Sequence, residues 1–169
     1  MNALVDELKK LKVVKRGKFV LKSGQTSDYY IDMKKAFGSA KVLHLICDEF
    51  CKIIDKKATC IAGSGHGGLP LATAVSLKLG LPLVLVRDNP KEHGLKKVID
   101  GYAPTRKDRV AIVDDVFTTG TCISNIASAL APTKAKIQAG YVVLNRGEAS
   151  KSMVLLKSLL NLKDLTGSS

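Results

Sequence analysis

Val110-Ala111-Ile112-Val113-Asp114-Asp115-Val116-Phe117-Thr118-Thr119-Gly120-Thr121 joins an apolar run to two acids, a loop of small hydroxyl residues and a helix start. Val110 to Val113 have the unbroken apolar character of a strand buried on both faces of a parallel sheet. The acids follow at the carboxyl end of that strand, and in open α/β sheets the ligand crevice lies beyond that end. Thr118 to Thr121 lead into the helical pattern of Cys122 to Leu130, so unpaired backbone N–H groups and hydroxyls gather in the turn as an anion cradle. Carboxylates beside a phosphate are reconciled by the rest of the ligand. Ribose hydroxyls donate to the charged acceptors, and the loop takes the phosphate. The order therefore describes a site for a phosphorylated sugar. A Walker loop needs Gly-Lys-Ser/Thr, and a dinucleotide fold needs closely spaced glycines after its first strand; neither accompanies this segment. The plainer alternative, a buried strand ending in a solvated Asp-Asp turn, suits an isolated acid pair better than one framed by this strand and loop.

The segment resembles the phosphoribosyl pyrophosphate (PRPP) motif of type I phosphoribosyltransferases, and the resemblance implies that Asp114 through Thr121 hold PRPP. A second stretch, Phe19-Val20-Leu21-Lys22-Ser23-Gly24-Gln25-Thr26-Ser27-Asp28-Tyr29-Tyr30-Ile31-Asp32, reads from its residues as a hairpin. Phe19 to Leu21 and Tyr29 to Ile31 are β-prone, with turn residues between them. A lysine near stackable tyrosines suits a flat anionic heterocycle, although a solvated Lys and two packing Tyr would read the same. The stretch is similar to the amino-terminal signature of orotate phosphoribosyltransferases, which implies that Lys22 and Tyr30, with Thr118 of the first motif, line the orotate site.

Arg87-Asp88-Asn89-Pro90-Lys91-Glu92-His93-Gly94 follows an apolar strand and reads as a mobile loop whose cations neutralise a leaving group on closure. It resembles the catalytic loop of the same family, carrying over Arg87, Lys91, Glu92 and His93. Asp88 stands where many bacterial members have a second lysine. Ile61-Ala62-Gly63-Ser64-Gly65-His66-Gly67-Gly68-Leu69-Pro70-Leu71-Ala72 is a strand end, a glycine turn that admits an anion, and a helix start. It is similar to the family's pyrophosphate loop, which places Gly65, His66 and Gly67 at PRPP; some members have lysine at the position of Gly67. Val142-Val143-Leu144-Asn145-Arg146 ends a strand in an arginine, and the resemblance implies that Arg146 engages the base. Asn145 stands where the family more often has aspartate.

With 169 residues and 46% apolar content, the chain reads as one domain spanning residues 1–169 with a substantial core. No apolar stretch is long enough for a bilayer span, and Met1 to Glu7 lacks a secretory pattern, so the expected location is the cytoplasm. Cys47, Cys51, Cys60 and Cys122 match neither a zinc ribbon nor a Cys-x-x-Cys pair and suit reduced, buried small residues. The formal charge of +12 attracts anionic substrates and nucleic acid alike. Without interleaved exposed aromatics or a known motif, a solvated basic surface is the reading and nucleic acid is not the expected partner.

The pattern predicts helices near Asn2 to Leu11, Lys41 to Ile54, Leu69 to Leu79, Thr121 to Leu130 and Lys151 to Asn161. Strands are predicted at Thr59 to Ala62, Leu81 to Val86, Arg109 to Val113 and Ile137 to Leu144. Alternation of this kind implies an α/β fold, a central parallel sheet flanked by helices. The resemblance adds a small hood from the hairpin and the C-terminal region, and it implies the following activity. PRPP donates ribosyl 5-phosphate to orotate, releasing pyrophosphate and giving orotidine 5′-monophosphate in pyrimidine biosynthesis. Asp114, Asp115, Lys91 and His93 are the implied catalytic residues. The implied cofactor is Mg²⁺, carried mainly by substrate oxygens with no protein ligand cluster, and the implied assembly is a homodimer whose loop reaches the neighbouring site. Gly67, Asp88 and Asn145 keep a phosphoribosyltransferase for a purine base in view. The charge and missing lysines keep a non-catalytic PRPP-sensing regulator or nucleic-acid binder in view.

Overall fold

The computed structural model of the chain describes residues 2–20, 26–87, 98–147, 149 and 152–167. Helix α1 (Asn2–Lys10) turns Leu4 and Leu8, one helical turn apart, into the core. Strands β1 (Val14–Val20) and β2 (Thr26–Ile31) pair antiparallel, with an irregularity between Arg16 and Phe19 at Gly17, whose φ of 152° favours glycine. The short α2 (Lys34–Phe37) leads to α3 (Ala40–Ile53), capped by the Ser39 hydroxyl accepting from the Val42 N–H.

The main body alternates strands and helices: β3 (Cys60–Ser64), α4 (Gly65–Leu79), β4 (Leu83–Val86), β5 (Ile99–Gly101), β6 (Arg109–Phe117), α5 (Thr121–Leu130), β7 (Lys136–Asn145), β8 (Leu156–Asn161) and α6 (Leu162–Thr166). Six strands form one sheet in the order β5-β4-β3-β6-β7-β8. Neighbours from β4 through β8 run parallel, and β5 pairs antiparallel with β4 at the edge. The chain leaves β3 toward β4 on one side and returns to β6 on the other, so the direction of winding reverses between β3 and β6. Such a switch point opens a crevice at the strand carboxyl ends, and both the acid pair and the glycine turn lie there. Apolar layers cover both faces. Ala111, Val113, Tyr141 and Val143 pack with α1, α3 and α4 on one side, and Val110, Ile112 and Val142 pack with Ile123 and Ile126 of α5 on the other.

Four expectations change in detail. The segment expected as a closing helix over Lys151 to Asn161 contains a strand, β8, followed by the short α6. Its apolar run fits either period, and the open edge of β7 decides: Gly140, Val142 and Leu144 stand opposite Leu156, Ser158 and Leu160 in a parallel ladder. Strand β5 is absent from the expected strands, and it makes the sheet mixed at one edge. Helix α4 begins at Gly65 rather than Leu69, so the glycine turn is itself the first helical turn and Pro70 sits inside the helix. Strand β6 continues through Phe117, so the acids lie within the strand's last turns rather than after it.

Candidate functional site

Asp114 is buried, Asp115 and Val116 are half-buried, Phe117 turns back into the core, and Thr118 and Thr119 of the loop that follows are exposed. The Asp115 N–H donates to Oδ1 of Asp114 at 2.9 Å, and the Val116 N–H donates to Oδ1 of Asp115 at 2.8 Å, so each carboxylate is fixed by the backbone one residue ahead. The acids meet different helices. The Cys122 thiol, in the first turn of α5, donates to Asp114. Asp115 lies over the first turn of α4, where a Cβ on Gly67 would stand 2.5 Å from its Cγ. Burial, and then the negative charge of Asp115, push the Asp114 carboxyl up to about 7, against the pull of the Cys122 and Asp115 hydrogen bonds.

The loop after β6 turns at Gly120, whose φ of 82° favours glycine, and the Thr119 and Thr121 hydroxyls lie 2.9 Å apart. Helix α5 begins at once, leaving its first amide groups at the crevice. The turn is braced from β7. The Arg146 N–H donates to the Phe117 carbonyl at 2.9 Å, and a Cβ on Gly147 would fall 1.8 Å from the Thr118 carbonyl oxygen, so the backbone after β7 runs directly against the loop. On the other flank, Gly65 has φ 63°, His66 is exposed, and Ser64 ties the end of β3 to the Val86 carbonyl at 2.8 Å.

Arg146 and the hairpin meet across the crevice. Nη2 of Arg146 lies 2.5 Å from Oγ of Ser27. Tyr30 keeps 44% of its surface exposed while its ring packs on Phe19 with centroids 5.5 Å apart. The C-terminal region closes the same hood, with Arg16 donating to the Thr166 carbonyl at 3.1 Å. Arg87 follows the end of β4, and its guanidinium pairs with Asp100 of β5 at 2.5 Å. Lys22, Lys91, Glu92 and His93, together with Asp88, lie outside the described residues.

The structure thus brings Asp114, Asp115 and Val116 through Thr121 together with Gly65, His66 and Gly67 at the switch point, and sets Arg146 and the Tyr30 hairpin at the ends of neighbouring elements. Sequence reasoning missed Cys122, Ser27, Gly68, Gly147 and Asp100. Gly68 was findable beside Gly67; a Cβ there would lie 3.0 Å from Oδ1 of Asp114. The others act through contacts remote in sequence, for which no local signal exists. Among the described residues no cluster of three or more His, Cys, Asp or Glu side chains assembles as a metal site. Among them, too, no helix is long and apolar enough to cross a membrane.

The model of the phosphoribosyl transferase domain family matches residues 35–161. An orotate phosphoribosyltransferase of Methanothermobacter thermautotrophicus is 35% identical over 170 residues, covering 98% of this chain and 93% of the relative. That of Pyrococcus horikoshii is 39% identical over 148 residues, covering 83% of this chain and 77% of the relative. The crystal structure of orotate phosphoribosyltransferase from Aeropyrum pernix superposes with a TM-score of 0.82 at 31% identity, covering 97% of this chain and 96% of that one. With the acid pair at a switch point, the threonine loop at a helix start and near full-length likeness to these enzymes, the chain belongs to the orotate phosphoribosyltransferase family.

Proposed function

We propose that the chain, as one domain over residues 1–169, transfers ribosyl 5-phosphate from PRPP to orotate, releasing pyrophosphate and forming orotidine 5′-monophosphate. The observation that carries the reading is the pairing of Asp114 and Asp115 with two helix starts. One helix start is the threonine turn at Thr118 to Thr121, and the other is the glycine turn at Gly65 to Gly68. Two acceptors between two anion cradles fit a ribose that carries phosphate at one end and pyrophosphate at the other. Breaking the anomeric C–O bond leaves positive charge on the sugar and negative charge on pyrophosphate, so the chain acts by electrostatic placement rather than as a nucleophile. Asp114 and Asp115 bind the ribose hydroxyls and face the developing cation. Thr118, Thr119, Gly120 and Thr121 take the 5′-phosphate. Gly65, His66 and Gly67 take the pyrophosphate, joined by Lys91 and His93 when the loop closes and excludes water, and by Arg87 as it exchanges Asp100 for the pyrophosphate. Arg146, Lys22, Tyr30 and Thr118 hold orotate.

Mg²⁺ fits the crevice as an ion carried mainly by substrate oxygens, since the Asp114 and Asp115 carboxylates are hard oxygen donors of the kind it takes beside substrate phosphates. When bound it supplies neutralisation of pyrophosphate charge. The enzyme works as a cytoplasmic homodimer whose loop, residues 87–94, completes the neighbouring site. Names borne by relatives over most of their length support the base assignment. The purine alternative rests on Gly67, Asp88 and Asn145, but a neutral purine leaves the Arg146 charge unanswered. The test follows pyrophosphate release from PRPP with Mg²⁺ on adding orotate, in the wild type and in an Asp114→Asn/Asp115→Asn variant. Release that the variant loses while keeping its fold supports the reading, and equal release by the variant refutes the site.

A further inference from the structure

The two arginines at this sheet end are held in opposite ways. Arg87 is paired with a carboxylate, Asp100, which cancels its charge. Arg146 is held by a neutral oxygen, Oγ of Ser27, at 2.5 Å, and among the described residues no carboxylate pairs with it. The Ser27 hydroxyl is itself fully oriented: it donates to the Tyr29 carbonyl at 2.9 Å and accepts from the Tyr29 N–H at 3.1 Å. Its proton is therefore committed to Tyr29, and its remaining lone pair is an acceptor pointed at Arg146. The link joins β2 to the end of β7 across 119 residues, and the Arg146 backbone is pinned to Phe117 at 2.9 Å from the other side.

We infer that Ser27 is a specificity-determining positioning residue, which aims the Arg146 guanidinium into the base site through a neutral acceptor and so leaves its charge for an anionic base. The inference rests on the proposed role of Arg146 at orotate. A guanidinium has five donors in a fixed fork; fixing one of them sets the plane of the rest, and a carboxylate takes two parallel N–H bonds from that plane. An acidic residue at position 27 would hold the same orientation but consume the charge in advance. A position without an oxygen would leave the charge but lose its aim. Serine is the short side chain that satisfies both conditions while bonding along its own strand to Tyr29.

The test is steady-state kinetics of the full chain with PRPP, Mg²⁺ and orotate, read separately for each substrate. Ser27→Ala raises the orotate KM about tenfold, as expected for a hydrogen bond to a charged group, and leaves the PRPP KM within about twofold. Ser27→Thr, which keeps the hydroxyl, restores most of the orotate affinity. Ser27→Asp, which keeps an acceptor but cancels the charge, raises the orotate KM further than Ser27→Ala. In an Arg146→Ala background, Ser27→Ala has no additional effect. An unchanged orotate KM in Ser27→Ala, in a protein where Arg146→Ala does raise it, overturns the inference. So does an equal rise in the KM of both substrates, the mark of a contact that serves only the fold. If Arg146→Ala itself leaves the orotate KM unchanged, the base-site reading fails, and the inference with it.

Discussion

The carboxylate of Asp115 occupies the space that a side chain on residue 67 would need: a Cβ built on Gly67 stands 2.5 Å from both Cγ and Oδ1 of the acid. The glycine turn of α4 and the acid pair of β6 are therefore one unit, closed across the β3–β6 switch point. A lysine at position 67 has no room beside Asp115 as placed, since its Cβ would overlap the carboxylate.

Gly67→Ala turns Asp115 away from its contact with α4. Steady-state kinetics are expected to show a fall of about 10–100-fold in kcat/KM for PRPP, the cost of misplacing a positioned group by roughly an ångström. The melting temperature changes little, because the site is partly open. Gly67→Lys gives no gain in PRPP use despite the added cation. Wild-type kinetics in Gly67→Ala would contradict the packing.

Asp114 carries a pH signature. Its carboxyl is raised to about 7 by burial and by Asp115, above the roughly 3.9 of an unfolded chain. The folded state therefore holds this proton more tightly than the unfolded state. As pH rises from about 4 to about 7 the unfolded chain releases the proton first, so this group costs stability progressively, and the cost levels off above pH 7. Thermal melts of the ligand-free protein between pH 5 and 8 should show a decline that is absent in Asp114→Asn. Parallel curves for the two proteins would mean that Asp114 ionises normally.

At the opposite end of β6, Asp108 is buried and accepts from Thr59 Oγ1 at 2.8 Å, Thr105 N–H at 2.7 Å, Thr105 Oγ1 at 2.9 Å and Tyr102 OH at 3.2 Å. The Thr105 N–H first, and then the hydroxyls, hold its carboxyl below the usual range. Asp108→Ala leaves those donors unpaired and is expected to cost about 2–4 kcal/mol in chemical denaturation, as for a broken buried network. The KM values for both substrates stay near wild type, since this end of the sheet is remote from the crevice. A loss of activity without loss of stability would contradict the division between the two ends of β6.

Much of this was visible in the residues themselves because β6, its threonine turn and α5 form one contiguous stretch whose local pattern and tertiary role agree. The α5 helix falls on Thr121–Leu130 as expected, and α3 differs by one residue at each end. The C-terminal segment misleads for a physical reason. Met153, Val154, Leu155 and Leu156 carry no period that separates helix from strand, and the vacant edge of β7, set by residues 136–145, makes the choice. The site shows the same division. Asp114 and Asp115 announce themselves locally, whereas the Ser27–Arg146 contact and the approach of Gly147 to Thr118 exist only once distant elements converge. Arg87 was expected at pyrophosphate, and its partner Asp100 belongs to a strand that three residues, Ile99–Gly101, could not signal.

The proposed crossing of the loop between subunits is open to direct test. Lys91→Ala and the Asp114→Asn/Asp115→Asn double variant are each expected to be nearly inactive. Loss of one donor met only on closure corresponds to about 10²–10³ in kcat. Mixing the two should restore part of the activity, because one site of each mixed dimer receives an intact loop and intact acids. No recovery after demonstrated subunit exchange would place the loop over its own site.

Base choice is measured most directly by a screen that follows pyrophosphate release from PRPP with Mg²⁺. Orotate is compared with adenine, guanine and hypoxanthine at equal concentration. The proposed place of Arg146 at the base, with no carboxylate among the described residues to cancel it, predicts orotate as the preferred base by kcat/KM, with orotidine 5′-monophosphate as product. Equal or faster turnover of any of the purines would contradict the assignment of the base while leaving the fold and the PRPP site in place.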